Sequence, residues 1–325
     1  MTTTDDKRPL GSTGLQVSAV AMGGWPIAGV TSLDVNPQDS IATLEEALAC
    51  GINFFDTAYC YGLDGESERM IGQVLRGRRD AAVVATKGGI RFVTKSERIL
   101  DSSPATLQHQ CETSLQRLQM DYVDLYYLHA PDGATPVERS AEAILQLKQE
   151  GKTKAVGASN LAFEQLQRFH EVCPLDAYQP PYNMLQRQIE QDVLPWCLQR
   201  NISLVIYWPL LKGLLAGKLP RDFVFRPGDG RAKYPMFQGE EWRRNQDFLD
   251  RLREIADEAG KTVAQLVVNW TIHRPGITAA LCGAKRPEQI RETAGAMGWR
   301  LSAEQLGRIE AALAERGEPL VKGAV

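Results

Sequence analysis

In the stretch INFFDTAYCYG an apolar run ends on Asp56, and Tyr61 follows five positions later. The same arrangement recurs along the chain, where apolar, β-branched runs finish on Lys87, His129, Ser159-Asn160, Gln179 and Tyr207. An aspartate, a tyrosine, a lysine and a histidine can together form a proton relay. Reducing a carbonyl by hydride transfer creates an alkoxide that must be protonated as it forms. A free tyrosine, with a pKa of about 10, is a weak acid for that task near neutral pH. A lysine ammonium beside it favours the phenolate and lowers that value, and an aspartate holds the lysine charged and in place. Tyr61 is then the candidate general acid, Lys87 its tuner and Asp56 the anchor of Lys87. His129 is placed to orient the carbonyl oxygen or help pass the proton. In the oxidative direction the same tyrosine, as phenolate, is the base.

Each residue also has a plainer explanation. Asp56 can cap a helix, Lys87 can snorkel, His129 can be a satisfied core histidine and Tyr207 can simply pack. One polar residue after each apolar segment is harder to attribute to packing.

The elements that must position these residues alternate regularly. Apolar segments at 17–22, 52–56, 81–87, 122–129, 154–159, 177–179, 204–207 and 278–282 have the character of strands buried on both faces. Amphipathic segments separate them. Ser103-Pro104 reads as a helix cap with proline at the first position, followed by a face of Leu107, Cys111, Leu115 and Leu118. Thr135-Pro136 repeats the device, and Gly151 ends that helix. Residues 8–17 read as a small hairpin turning at 12–14. After the seventh strand, residues 212–241 are rich in glycine, proline and aromatics and read as a large loop, with helices near 241–259 and 263–273. The pattern predicts an α/β fold, a single (β/α)8 TIM barrel with an N-terminal hairpin and a long insertion after strand 7. The barrel domain spans 7–325, and residues 1–6 form a flexible tail. A doubly wound sheet is the alternative, but it would bring a G-x-G-x-x-G turn that is missing here.

Composition narrows the partners. A net charge of −3 over 325 residues, with only the short RGRRD at 76–80 as a basic run, gives no support for nucleic-acid binding. The cysteines at 50, 60, 111, 173, 197 and 282 form no CxxC, which favours free thiols in a reducing cytosol. The histidines form no HExxH, so no metal is expected. Residues 9–33 carry no charge and follow Lys7-Arg8, loosely like a signal peptide. Asp5, Asp6 and the interrupting glycines and proline argue against both a signal and a membrane span. The expected location is cytoplasmic, and the oligomeric state is open.

The motifs FDTAYCYG, ATKGG, LYYLHAPD, GASN, YQPPYNML, VIYWPLLKGLLAGK and GAKRPEQI, in this order from about residue 10 to 311, resemble the successive signatures of the aldo-keto reductase superfamily. The resemblance implies the same tetrad of Asp56, Tyr61, Lys87 and His129. It further implies a nicotinamide dinucleotide, NADP(H) in preference to NAD(H), bound without a Rossmann motif. Ser159, Asn160 and Gln179 suit a carboxamide that needs donors and acceptors, and Tyr207 offers a ring to stack on the nicotinamide. Gly24 and Trp25 join the cofactor set from the first strand end. Trp208, Pro209, Leu210, Gly213 and Lys218 would cover the pyrophosphate. Gly283, Ala284, Lys285, Gln289 and Glu292 match the adenosine side, with Lys285 suited to a 2′-phosphate. Trp208 stands where a small hydroxyl residue is frequent, and Thr293 where asparagine is frequent. Trp25, Tyr59, Phe92 and Trp208 are expected to line an aromatic substrate mouth, with Phe237 and Trp242 closing over it. The expected activity is reduction of an aldehyde or ketone to the alcohol, with a small-molecule carbonyl or alcohol as partner. The alternatives are a cofactor-binding regulatory subunit, an aldose dehydrogenase running oxidatively, or a Schiff-base enzyme using Lys87.

Overall fold

Eight short parallel strands close on themselves, because each is apolar on both faces and has to be covered from inside and outside. The computed structural model describes residues 6–320. A small antiparallel hairpin, β1 (Lys7–Pro9) and β2 (Gln16–Ser18), precedes the barrel. The barrel strands are β3 (Val20–Gly23), β4 (Phe54–Asp56), β5 (Val83–Gly88), β8 (Val123–Leu128), β9 (Thr153–Ser159), β10 (Ala177–Gln179), β11 (Ser203–Ile206) and β12 (Ile277–Gly283), each beside its predecessor, with β12 pairing β3. Between β5 and β8 lies a second hairpin, β6 (Ile90–Phe92) and β7 (Arg98–Leu100). The outer layer comprises α1 (Pro37–Ala49), α2 (Glu66–Leu75), α3 (Pro104–Leu118), α4 (Val137–Gln149), α5 (Phe163–Val172) and α6 (Val193–Gln199). It continues with α7 (Gly239–Glu258), α8 (Val263–Ile272), α9 (Pro287–Ala294) and α10 (Ala303–Arg316).

The expected barrel thus forms, with four differences in detail. Segment 17–22 is two strands rather than one. Val17 belongs to the hairpin, and the chain reverses its role at Ala19, whose N–H bonds the Asp6 carbonyl at 3.0 Å. Asp6 also pairs with Arg8 at 3.3 Å, so it belongs to the hairpin; residues 1–5 of the expected tail lie outside the described residues. Thr135 does not cap α4. Its hydroxyl bonds Asp132 at 2.8 Å, and Pro136 takes the cap position. Residues 212–241 are not a plain loop but contain short 3-10 turns at Leu211–Ala216, Gly230–Lys233 and Pro235–Phe237.

Two apolar layers hold the fold. Ala21, Phe54, Ala85, Leu125, Tyr127, Val205 and Ala279 fill the barrel, while a larger cluster seals strands against helices. The hairpin closes the bottom, where Leu10 and Val17 are fully buried against the barrel filling. That close seat requires Gly11. Its φ is 54°, and a Cβ there would lie 2.7 Å from the Asp176 carbonyl oxygen, while its N–H bonds Ser203 Oγ at 2.7 Å. With the bottom plugged, only the carboxyl ends of the strands stay open for chemistry.

Candidate active site

The strand pairings put Gly283, Gly23 and Asp56 at one level around the rim, with Asp56 beside Ala85. Beyond Asp56 the pairing with β5 continues as Thr57 N–H to the Ala85 carbonyl and Tyr59 N–H to the Lys87 carbonyl, 2.8 and 3.0 Å. A tight turn follows, in which Tyr61 N–H bonds the Ala58 carbonyl at 2.9 Å and returns the phenol toward the barrel axis. Asp56 and Lys87 are both about 1% exposed and form a salt bridge. Lys87 Nζ also donates to the Thr57 carbonyl at 2.7 Å, and Gln179 Nε2 donates to the other Asp56 oxygen at 2.8 Å. Burial pushes the Asp56 carboxyl up, while Lys87 and Gln179 act against that push.

Tyr61 stands over this pair. Lys87 Nζ is 4.9 Å from the centre of its ring, and the His129 ring centre is 5.9 Å away at a steep angle. Burial first, and then the Asp56 charge, hold the Tyr61 phenol well above its ordinary range. His129 is held well below its ordinary value by burial first, then by Lys87 and Arg98, so its ring is neutral. Its Nδ1 lies 3.5 Å from Cys60 Sγ. The Cys60 thiol is pushed up to about 12 by burial and stays protonated. Cys60 and Thr57 were not legible as site residues. Cys60 sits within FDTAYCYG, but nothing in the sequence says that it turns inward.

Trp25 meets Tyr61 edge-on at 5.1 Å and Phe92 at 5.8 Å, and its Nε1 is fixed on Thr31 Oγ1 at 2.9 Å. These three rings form the aromatic wall. Tyr59 does not join it. Its ring lies 4.4 Å from the Arg117 guanidinium of α3, since the residue alternates away from Cys60 at the rim. Trp208 meets the Tyr207 ring edge-on at 5.2 Å, with Lys212 Nζ 3.7 Å from its own ring centre. Phe237 and Trp242 pack with each other, and Phe237 with Phe225, inside the insertion rather than over the mouth.

On the other flank the amide-bearing residues are interlocked. Asn160, at φ 57°, donates to the His129 carbonyl and Ser159 Oγ at 2.9 and 3.0 Å and accepts from Tyr207 OH at 2.8 Å. Ser159 Oγ donates to the Gln179 carbonyl at 2.7 Å. Beyond Tyr207, Trp208, Leu211 and Lys212 all have positive φ, a cluster of backbone strain that favours a functional reading of Pro209, Leu210 and Gly213. Lys212 lies between the Trp208 and Tyr234 rings, has no carboxylate partner among the described residues and is pulled down to about 8 by burial. Lys285 Nζ bonds the Leu33 carbonyl, and Gln289 accepts from its N–H at 2.9 Å. Arg226 pairs with Asp34, tying the insertion to this edge, and Lys218 pairs with Glu292. Lys285 is lowered by burial first, and Arg286, Arg231 and Arg226 add to it against Asp34. Gly24, whose N–H bonds the Asp56 carbonyl at 2.8 Å, completes the rim, where a Cβ would collide with Ser67 Oγ. Gly283 and the buried Ala284 lead into the Lys285 turn. Lys212, the cations around Lys285, the Tyr207 ring and the Asn160 amide are the group types that suit the phosphates and carboxamide of a dinucleotide.

The sequence model of the aldo/keto reductase family matches residues 19–314. The chain belongs to that family. The NADH-specific methylglyoxal reductase of Escherichia coli is 35% identical over 311 residues, covering 91% of this chain and 94% of that one. The structure of a glycerol dehydrogenase from Gluconobacter oxydans superposes with a TM-score of 0.90 at 34% identity, covering 99% of both chains. An aldo/keto reductase from Klebsiella pneumoniae in complex with NADP and acetate superposes with a TM-score of 0.73 at 28% identity over the whole of both. This aldo-keto reductase is therefore an oxidoreductase of the carbonyl–alcohol pair that uses a nicotinamide cofactor. No helix among its described residues is long and apolar enough to cross a membrane.

Proposed function

We propose that this aldo-keto reductase reduces an aldehyde or ketone with NADPH, and that Tyr61 delivers the proton. The observation that carries the reading is the placement of Tyr61 and His129 over the buried Asp56–Lys87 pair. When bound, the nicotinamide supplies the reducing equivalent at the carbonyl carbon. His129, kept neutral, donates a hydrogen bond to the carbonyl oxygen and orients it toward Tyr61. Tyr61 gives its proton to that oxygen as negative charge develops there. Lys87, fixed by Asp56 and the Thr57 carbonyl, places a positive charge beneath the phenolate that forms. Trp25 and Phe92 keep water from the reacting face.

A Schiff-base role for Lys87 is disfavoured, because its nitrogen is committed as a donor to two oxygen acceptors.

On the cofactor flank, Ser159, Asn160 and Gln179 hold the carboxamide by exchanging some of their mutual bonds for bonds to it, and Tyr207 stacks on the ring. Lys212 meets the phosphates, with the turn at Pro209, Leu210 and Gly213. Lys285 and Arg286 meet a 2′-phosphate. The solved Klebsiella relative in complex with NADP supports that preference, and the NADH-specific relative argues the other way. Titrating the protein with NADPH and NADH by nicotinamide fluorescence decides it. The reading predicts tighter NADPH binding, and equal binding or an NADH preference contradicts it.

A further inference from the structure

The β6–β7 hairpin follows β5 directly and borders the mouth. Its register sets Ile90 opposite Leu100, Arg91 opposite Ile99 and Phe92 opposite Arg98. Directly opposed residues of an antiparallel pair share a face, and successive residues alternate. Ile90, Phe92 and Leu100 pack with Ala58, Cys60, Tyr61 and Ala130, so their face is the one over the site. Arg91 and Ile99 lie on the other face, and Arg98 is exposed at the rim of the first. Arg98 therefore stands on the site face beside Phe92, whose ring touches Trp25, which in turn touches Tyr61.

Arg98 has no hydrogen bond or ion pair among the described residues. Its neighbour Glu97 instead engages Thr94 through the backbone. Arg98 is nonetheless near enough for its charge to act on both His129 and Cys60. An exposed guanidinium with five donors and no protein acceptor, at the edge of the mouth, is suited to a planar anionic group.

We propose that Arg98 is an anion subsite at the mouth, and that the preferred carbonyl substrate carries a carboxylate or phosphate remote from the reacting carbon. This rests on the carbonyl-reductase reading above. The subsite acts on binding rather than on the proton transfer, so it is a determinant of specificity.

The test uses the full chain with saturating NADPH and two matched aldehyde pairs: 4-oxobutanoate with butanal, and glyceraldehyde 3-phosphate with glyceraldehyde. A charged hydrogen-bond partner of this kind predicts a roughly tenfold to hundredfold higher kcat/KM for the anionic member. Arg98→Gln is expected to abolish that preference through KM, with the neutral aldehydes unchanged within about twofold, and Arg98→Lys to restore part of it. A preference confined to one pair tells carboxylate from phosphate. Turnover of the neutral aldehydes without any charge preference, or an equal loss on all substrates in Arg98→Gln, contradicts the subsite alone. Failure to turn over the neutral aldehydes as well contradicts the carbonyl-reductase reading, and the subsite falls with it.

Discussion

Lys87 stands two residues beyond Ala85, the residue paired with Asp56, yet its ammonium returns to the Asp56 carboxylate. The side chain spans that offset along the inner face of β5, since residues two apart in a strand point the same way. The result is a buried ion pair whose partners come from neighbouring strands, with the Thr57 carbonyl accepting a second bond from Lys87 and Gln179 donating to the other Asp56 oxygen.

Removing one partner leaves a buried charge uncompensated. Lys87→Met is expected to destabilise the protein by about 3–5 kcal/mol. Lys87→Met combined with Asp56→Asn should recover much of that loss. Urea denaturation of the two variants and the wild type checks both statements.

His129 predicts a pH dependence of stability. Its native value lies well below the ordinary one, so between the two the unfolded chain binds the extra proton. Its contribution is therefore present above about pH 6.5 and lost as pH falls toward the native value. His129→Gln removes this slope. The stability difference between wild type and variant should shrink from pH 7 to pH 5 in denaturant titrations, whereas a constant difference would contradict the assignment.

Lys212 is expected to couple cofactor binding to pH. In the free protein it loses its charge near pH 8. If it meets the cofactor's phosphates, NADPH affinity should weaken as pH rises through that value. Lys212→Met should bind more weakly at pH 7 and show a flatter profile between pH 7 and 9, measured by nicotinamide fluorescence.

Cys60 is expected to set which nitrogen of His129 carries the proton: if its protonated thiol donates to Nδ1, 3.5 Å away, the ring hydrogen lies on Nε2. Nitrogen-15 spectra of labelled protein should show the Nε2–H tautomer in the wild type and in Cys60→Ser. Cys60→Ala should show a mixture.

The strands were legible because a barrel wall covered on both sides demands continuous apolar runs, as at Phe54-Phe55 and Val83-Val84. The polar rim residues stood out because they ended those runs. The break at Ala19 was not legible, since Val17 and Val20 are equally buried and hydrophobicity does not record a change of sheet. The β6–β7 hairpin escaped notice for the opposite reason, its strands being three residues long and broken by arginines. Directions at the rim were also hidden. Tyr59, Cys60 and Tyr61 are adjacent in the chain, yet one faces Arg117, one His129 and one the space above Lys87. Only the turn after Asp56 decides among them. The packing of Phe237 between Phe225 and Trp242 was hidden because Phe225 lies in a segment whose composition suggested a large loop.

The proton-donor role of Tyr61 is tested most directly by Tyr61→Phe. The substitution keeps the ring contacts to Trp25, His129 and Lys87 and removes only the hydroxyl. With NADPH binding unchanged by fluorescence, kcat for carbonyl reduction is predicted to fall by roughly 10²–10⁴-fold. Turnover within a few-fold of the wild type would contradict the assignment.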